Sequence, residues 1–400
     1  MLSRHVVVVV IDRLGAGWLG PYGNTWLETP HFNRLAASAL LCETAIADSP
    51  ELLAAYRSYW TGRHAFAPDG PDAESLPKLA SAERHKTILV TDDGRIAAHP
   101  QSADFGQIRR VSAEPRAAAA TSIDGTGLFQ LTTAALEALA EPAERSLVWI
   151  HSRGMDGPWD APLELRNQFA DEDDPEPPQL VQPPALVLPE NYDPDALLGL
   201  TQAYAGQVAL ADECLGLLLE VLGERRPDET LLIVTSPRGY PLGEHRRVGD
   251  ADPALYAELL QVPLLVRFPA TVGALVRAQT IVQPQSVYAT IVGAKGSGDL
   301  ASLVAGESLP GGEAAVSVAE GQRSIRTPAW FLRESQRERE TERELYAKPD
   351  DRWEANEVAS RCGETADLLA ARMDEFQSAA RAGSLAGLPP LTQVLADGWR

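Results

Sequence analysis

Residues 4–23 read RHVVVVVIDRLGAGWLGPYG, and the first part of this stretch decides the fold. The β-branched run from Val6 to Ile11 has no polar position on either face, which is typical of a strand buried on both sides in a parallel sheet. The run is too short for a transmembrane helix, and no small-residue cleavage site follows it. We therefore expect a buried first strand that ends at Ile11 and is followed by Asp12. We also expect a cytoplasmic protein.

Further along the chain, apolar β-branched runs alternate with amphipathic stretches. This alternation predicts an α/β layered sheet with helices on both faces. The predicted strands are His5–Ile11, Thr87–Val90, Ser146–His151, Leu231–Thr235 and Val262–Phe268, and the predicted helices are Thr29–Ala39, Thr126–Ala140, Pro194–Leu222 and Ala254–Leu260.

The composition turns Gly-rich and irregular around Leu303–Glu313, which predicts a domain boundary there and two domains, 1–305 and 314–400. Beyond the boundary, SIRTPAWFLRES and ERELYAKPDD predict two strands separated by a charged turn. A helix over Glu364–Gln377 follows, and from Gly383 we expect coil.

Charge and cysteine content exclude several classes of protein. The formal net charge is −21, and such a surface repels nucleic acid and anionic membranes, so we expect neither as a partner. Cys42, Cys214 and Cys362 are far apart and form no CxxC pair, which argues against a disulfide framework or a zinc site.

In open α/β sheets, ligands lie at the carboxyl ends of the strands. The residues that follow the predicted strands are therefore the first candidates for a functional site. They are Asp12–Arg13, Thr91–Asp93, His151–Met155 and Ser236–Arg238.

Short motifs follow one another along the chain in a fixed order. They are Asp12, Leu19-Gly20, Tyr22-Gly23, Thr29-Pro30, Leu35-Ala36, Thr61-Gly62-Arg63 and Leu242-Gly243-Glu244-His245. Together they resemble the sulfatase family, and the resemblance covers nearly the whole chain. It implies the alkaline phosphatase superfamily fold, with a large, mixed, mostly parallel sheet flanked by helices and a smaller C-terminal α+β subdomain.

The resemblance also implies a metal site, from which this chain departs. In sulfatases a divalent cation, usually calcium, lies among Asp, Asp, Asp and Asn or His side chains. Asp12 keeps the first position, whereas Arg13 replaces the second Asp and Pro237-Arg238 replace an Asp-His pair. Because calcium takes about six to eight oxygen ligands, we expect no cofactor here, with Asp12 as a remnant ligand.

The nucleophile of the family is a Cys or Ser in a Cys-x-Pro-x-Arg pattern, which is oxidised to formylglycine. Counting back from Thr61-Gly62-Arg63 places Leu52 in this position, with Ala54 and Tyr56 instead of the Pro and Arg. Leucine cannot be oxidised to formylglycine and has no lone pair with which to attack. The resemblance therefore implies a scaffold without its nucleophile.

Some positions of the family's site keep residues that the resemblance implies, and at others arginines are available to bind an anion. The remnants are Arg63, which the resemblance implies to be largely structural, His151 and His245. A single histidine at a strand end, such as His151, is also typical of a satisfied core residue. Arginine suits sulfate and phosphate esters, and the anion-binding candidates are Arg13, Arg57, Arg238 and Arg246.

Three hypotheses remain open. In the first, the chain is a pseudoenzyme in which Asp12 pairs with Arg13 or Arg238 instead of a metal. In the second, arginines bind a sulfated or phosphorylated small molecule or sugar without a metal. In the third, the chain is an active sulfuric or phosphoric ester hydrolase with relocated chemistry, although no nucleophile is seen beside a base. The groups it would use are Asp92, Asp93, Asp156 and His245.

Overall fold

A computed structural model describes residues 2–67, 74–112, 117–225, 228–294, 298–309, 313–337, 340–385 and 387–398. The chain forms two compact units, each assembled from separate segments. The first comprises Met1–Leu41, Pro77–Pro253 and Val262–Arg277, and the second comprises Cys42–Leu76, Ala254–Gln261 and Ala278–Arg400. The predicted domains 1–305 and 314–400 stay a prediction, and residues 310–312 of the predicted linker lie outside the described residues.

In the described residues, strands β1 to β15 are His5–Ile11, Leu40–Ile46, Lys86–Thr91, Gln107–Arg110, Ser146–Ser152, Leu186–Val187, Thr230–Thr235, Arg247–Val248, Gln261–Val262, Leu264–Arg267, Arg277–Val282, Ala315–Ala319, Gln322–Arg326, Trp330–Arg337 and Glu340–Ala347. Helices α1 to α12 are Pro30–Ala37, Leu52–Thr61, Leu76–Ala82, Gly94–Ala97, Gly127–Ala140, Leu163–Asn167, Pro194–Arg225, Ala257–Leu260, Gln285–Val292, Ala301–Val304, Gly363–Arg381 and Gln393–Asp397.

The first unit is built around a mixed, mostly parallel sheet. β1 pairs in parallel with β5 on one side and β7 on the other, and β3 and β4 extend the parallel part beyond β5. β10 runs antiparallel to β7 and pairs with Leu40 and Leu41, the first residues of β2. Every residue of β1 and β7 is buried, so both faces of the sheet are covered at its centre.

Three helices contribute to the core of this unit. Leu35 of α1, Leu131 of α5 and Leu215 of α7 belong to the same buried cluster as Val9 of β1 and Val234 of β7. α7 is 32 residues long and contacts α1, α5 and α6. The sheet is therefore held by apolar burial against helices, as strand–helix alternation predicts.

The second unit contains a separate four-stranded antiparallel sheet in the order β12-β13-β14-β15. α11 packs against it, and Leu369, Met373 and Phe376 share a buried cluster with Val316 and Leu332. The three helix positions recur at the spacing of one helix face. The large mixed sheet and this small antiparallel sheet confirm the expected fold class.

Several predicted elements differ from the structure, and the strand predicted over Val262–Phe268 is divided into β9 and β10. The helix predicted over Ala254–Leu260 is only Ala257–Leu260, because the residues before it are extended or turn. SIRTPAWFLRES is not one strand: its first residues end β13 and its last belong to β14, since Pro328 interrupts the ladder. The coil expected after Gly383 contains α12. Part of the predicted charged turn, 338–339, lies outside the described residues.

No helix in the described part of the chain is long and apolar enough to cross a membrane. The cytoplasmic location stays a prediction.

Candidate functional site

The candidate site lies at the carboxyl ends of β1, β3, β5 and β7. Val10 of β1 is in register with His151 of β5 and Thr235 of β7, and Thr91 of β3 is in register with His151. The four strands therefore end at the same level, and the residues that follow them converge. We call this group the carboxyl-edge site, and its charged members are Asp12, Arg13, Asp92, Asp93, Arg95, His151, Asp156, Arg238 and Asp250.

Arg238 forms a two-point ion pair with Asp12. Its Nε donates to Oδ1 and its Nη2 donates to Oδ2, both at 2.9 Å, and Asp12 is fully buried. The Ser236 hydroxyl donates to the Arg238 carbonyl at 2.7 Å, which fixes the loop after β7. Burial acts to lower the pKa of Arg238, but the charges of Asp12 and Asp156 outweigh burial and raise it. The sequence predicts that Asp12 pairs with Arg13 or Arg238, and the structure shows the pair with Arg238.

Arg13 also points into the site, and only 1% of it is exposed. Its Nε donates to Oδ1 of Asp156 at 2.8 Å, and its Nη2 lies 2.8 Å from Oδ1 of Asp250. Its backbone has the left-handed φ of 61°, and the Tyr204 hydroxyl donates to its carbonyl oxygen at 2.8 Å. The guanidinium carbon lies 5.9 Å from the ring centre of Tyr240. Arg13 is therefore a fixed, inward-facing member of the site.

The loop after β5 comes very close to the end of β1. The backbone N–H of Met155 donates to the Asp12 carbonyl oxygen at 3.0 Å. Gly154 has a φ of 50°, and a Cβ at this position would lie 2.5 Å from the same carbonyl oxygen. Glycine permits this approach, and the approach places Asp156 beside Arg13 and Arg238.

Asp156 is a carboxylate shared by three arginines. Oδ1 accepts from Nε of Arg13 at 2.8 Å and from Nη2 of Arg238 at 3.3 Å, and Oδ2 accepts from Nη2 of Arg95 at 2.5 Å. Burial acts to raise the pKa of Asp156, but Arg238 and Arg13 outweigh burial and lower the pKa to about 2. Asp156 is therefore ionised at neutral pH and holds the guanidinium groups together.

The two carboxyl groups after β3 have opposite shifts. Nε of Arg95 donates to Oδ2 of Asp93 at 3.0 Å, and Nε2 of the buried His151 lies 3.7 Å from the same oxygen. Burial acts to raise the pKa of Asp93, but His151 and Arg95 hold it far below its usual range. Burial raises the pKa of Asp92 to about 6, against the opposing effects of His151 and of the Arg153 N–H, which donates at 2.8 Å.

The remaining sequence candidates lie elsewhere in their units. In the second unit, Leu52 begins α2 and is buried, Nη2 of Arg57 donates to the Ala65 carbonyl at 2.8 Å, and Arg63 follows the left-handed residue that ends α2. In the first unit, the carbonyl of His245 accepts from Arg247 at 2.9 Å. Arg246 is exposed, and its Nη1 lies 3.9 Å from Oε1 of Glu190.

The residues at the carboxyl edge do not fit the calcium ion of active sulfatases. Both carboxylate oxygens of Asp12 accept from Arg238, and Arg13 stands where the family has a second Asp. Within the described ranges, no group of three or more His, Cys, Asp or Glu is arranged to hold a metal ion. A calcium ion needs several anionic oxygens, and the two guanidinium groups at this place oppose a dication.

Sequence reasoning missed four members of this network. Arg95, Tyr204, Tyr240 and Asp250 contact the predicted residues. Arg95 and Tyr240 carried a signal, because each lies two residues after a predicted candidate, Asp93 and Arg238 respectively. Tyr204 is brought to the site by the long helix α7, and Asp250 by a loop.

Comparison with known proteins agrees with this architecture. The sulfatase family model matches residues 4–297. Arylsulfatase D of Homo sapiens is 34% identical over 71 residues, which are 18% of this chain and 12% of that protein's length.

Two solved structures cover nearly the whole chain. The phosphonate monoester hydrolase of Agrobacterium radiobacter has a TM-score of 0.75 and 16% identity, over 95% of this chain and 96% of that one. A protein in complex with its substrate D-glucosamine-2-N,6-O-disulfate has a TM-score of 0.70 and 13% identity, over 97% and 100%. At such identities the structures show the fold alone, whereas the family match extends over most of the sequence. The chain therefore belongs to the sulfatase family.

Proposed function

We propose that this chain is a sulfatase-family protein that has lost the hydrolysis of sulfuric esters. The observation that supports this proposal most strongly is the two-point ion pair between Arg238 and Asp12. A cation at Asp12 would have to break that buried pair and then lie beside Arg238. A unit charge about 4 Å from another at an effective dielectric of 20 interacts by about 4 kcal/mol, and a dication doubles this repulsion.

The position of the nucleophile supports the same proposal. Leu52 has no group that can attack sulfur or phosphorus, and it is buried at the start of α2. Without a nucleophile and without a cation to neutralise the developing charge, the two largest contributions to ester hydrolysis in this family are missing.

Activity and metal content test the proposal directly. We expect no turnover of p-nitrophenyl sulfate or p-nitrophenyl phosphate, with or without added calcium or manganese, and no stoichiometric metal by elemental analysis. Wild-type turnover that disappears in Asp12→Ala would contradict the proposal, because it would show that the inherited site still works.

Restoring the family's residues provides a matched control. The triple variant Arg13→Asp, Pro237→Asp, Arg238→His replaces the two arginines with carboxylate and imidazole groups. We expect it to bind calcium measurably by titration calorimetry while the wild type does not. Equal calcium binding by both proteins would argue that the arginines do not prevent metal binding.

A second candidate function is metal-free binding of a sulfated or phosphorylated sugar through Arg13 and Arg238. Nη1 of Arg13 is buried without a hydrogen-bond partner, and its partner Asp250 has a side chain that is 62% exposed. An anion that displaced Asp250 would reach this guanidinium group. We expect Asp250→Asn to strengthen binding of glucosamine 6-sulfate, and no detectable heat with either protein would exclude this candidate.

The third possibility, a hydrolase with relocated chemistry, has less support. Asp93 and Asp156 are both bound by Arg95, so neither is available as a base. The raised pKa of Asp92 suits proton transfer, but the hydrogen bond that its carboxylate accepts comes from the Arg153 N–H, and no hydroxyl or thiol among the described residues is bonded to it.

A further inference from the structure

A cavity of about 380 Å³ lies between α1 and α7 in the first unit. It is distinct from the carboxyl-edge site, because Arg267 of β10 pairs with Leu232, which lies in the first half of β7. Arg238, by contrast, follows the carboxyl end of β7. We call this cavity of about 380 Å³ the α1–α7 cavity. Its lining residues are Arg34, Leu35, Ser38, Leu219, Glu220, Gly223 and Arg267.

Arg267 is buried in this cavity without a partner. Only 8% of the residue is exposed, and its Nε and Nη2 have no hydrogen-bond partner. These two atoms form the same edge of the guanidinium group that Arg238 presents to Asp12. A buried cation with unmet donors is strongly unfavourable, so this edge is suited to an anion that the chain itself does not supply.

A second cation lines the same cavity. Arg34 of α1 is exposed, and its Nη2 donates to the Gly216 carbonyl at 3.2 Å. Burial first, and the charge of Arg34 second, lower the pKa of Arg267. Two neighbouring guanidinium groups therefore repel each other here, and an anion between them would remove the repulsion.

The other lining groups do not replace such an anion. The carboxyl end of α1 stabilises nearby cations through the helix dipole, but this effect is weak beside that of a full negative charge. The hydroxyl of Ser38 donates to the Leu35 carbonyl at 3.1 Å, and among the described residues it accepts from neither arginine. Glu220 is exposed, and within the described residues neither Arg34 nor Arg267 is recorded in an ion pair with it. A Cβ at Gly223 would meet no atom within 4 Å, which leaves room for a ligand on the α7 side.

We propose that the α1–α7 cavity binds an oxyanion, sulfate or phosphate, either free or as a monoester. The Nε and Nη2 of Arg267 have almost no accessible surface, so the guanidinium group has to turn for these two atoms to hold two oxygens of the anion. Arg34 contributes a second positive charge at the opening, and the space beside Gly223 takes the organic part of a monoester. Planar two-point recognition by arginine is the usual mode for such groups. This site does not depend on the function proposed for the carboxyl edge.

Titration calorimetry on the full chain tests this proposal. The ligands are inorganic phosphate, inorganic sulfate, glucose 6-phosphate and glucosamine 6-sulfate, all in a chloride buffer. We expect saturable binding with one site per chain, weakened at least about tenfold by Arg267→Gln and less strongly by Arg34→Gln. Arg4→Gln is the matched control, because it removes one positive charge at an exposed ion pair with Glu229, and we expect it to bind as the wild type does.

A second variant keeps the test independent of the arginine substitution. Gly223→Leu fills the cavity from α7 without changing the charge, and we expect it to weaken the monoesters more than the inorganic anions. Binding of the inorganic anions identifies a free-anion site, and binding of the monoesters alone identifies an ester site. No saturable heat with any of the four ligands would overturn the proposal, and so would equal affinities for wild type and Arg267→Gln.

Discussion

Arg238 and Arg267 are buried to nearly the same extent in the same unit, yet their surroundings differ. Arg238 is 6% exposed and Arg267 is 8% exposed. The Nε and Nη2 of Arg238 donate to Asp12, whereas the same atoms of Arg267 have no acceptor. The pKa of Arg238 is raised and that of Arg267 is lowered. The difference teaches that the partner, and not the degree of burial, decides whether a buried arginine stabilises this fold.

The largest effect is expected from a substitution that breaks the ion pair between Arg238 and Asp12. Arg238→Met leaves Asp12 buried without its counter-charge, and removing one partner of a buried ion pair lowers the free energy of unfolding by about 3–5 kcal/mol. Urea denaturation followed by circular dichroism measures the loss.

The double variant Asp12→Leu, Arg238→Met is the control for this experiment. It removes both charges, so we expect it to recover most of the lost stability, because apolar replacement of a buried pair is often neutral. If Arg238→Met alone lowers the free energy of unfolding by less than about 1 kcal/mol, the pair is as weak as a surface ion pair. The contrast with Arg267 would then be lost.

The carboxyl groups of Asp156 and Asp92 provide a second test of whether the partner decides the effect of a buried charge on stability. Asp156, among three arginines, has a pKa of about 2, whereas Asp92 has a pKa of about 6 against an ordinary value of 3.8. Because the folded state binds the Asp92 proton more tightly than the unfolded state does, this group lowers stability as pH rises from about 4 to about 6. We expect Asp92→Asn to gain on the order of 2–3 kcal/mol relative to wild type at pH 8.

At pH 3.5 the same variant and the wild type should be nearly equal in stability, since Asp92 is largely protonated in both states there. The amide oxygen that Asp92→Asn introduces can still accept from the Arg153 N–H, so the loop is kept. Parallel urea curves at the two pH values measure the difference. A gain of the same size at both pH values would show that the effect is not the titration of Asp92.

The smallest expected effect is at the unpaired arginine. In chloride buffer, Arg267→Met removes a buried charge without a partner, and we expect it to raise the free energy of unfolding by about 1–2 kcal/mol. Added phosphate should reverse this order, because it stabilises only the wild type. Arg4→Gln should stay within about 0.5 kcal/mol of wild type. Destabilisation by Arg267→Met in chloride would mean that the protein already satisfies this side chain.

The fold was largely predictable from sequence because its central strands are marked by simple patterns. Val6 to Ile11 and the run at β7 are apolar at nearly every position, which is typical of a doubly covered strand. The errors are local, as at Pro328, where one proline divides an otherwise continuous segment into two strands.

The site was predictable only in part. Asp12 and Arg238 could be singled out because each follows a strand, but their pairing depends on a sheet register that joins residues 226 positions apart. Tyr204 and Asp250 carried no local signal, because an interior position of a long helix and a loop residue look the same whether or not they reach the site. The α1–α7 cavity was invisible in the sequence, since Arg267 is one arginine among many until its lack of an acceptor is seen.

The division of the second unit into separate segments has a consequence for synthesis on the ribosome. α2, which carries the buried rings of Tyr56, Tyr59 and Trp60, contacts α9. Both helices belong to this unit, but α9 and the small antiparallel sheet emerge only after most of the first unit. At about 5–20 residues per second the delay is on the order of ten seconds or more. During that interval α2 of the nascent chain has not yet met α9, and exposed aromatic surface of this kind is what chaperones bind.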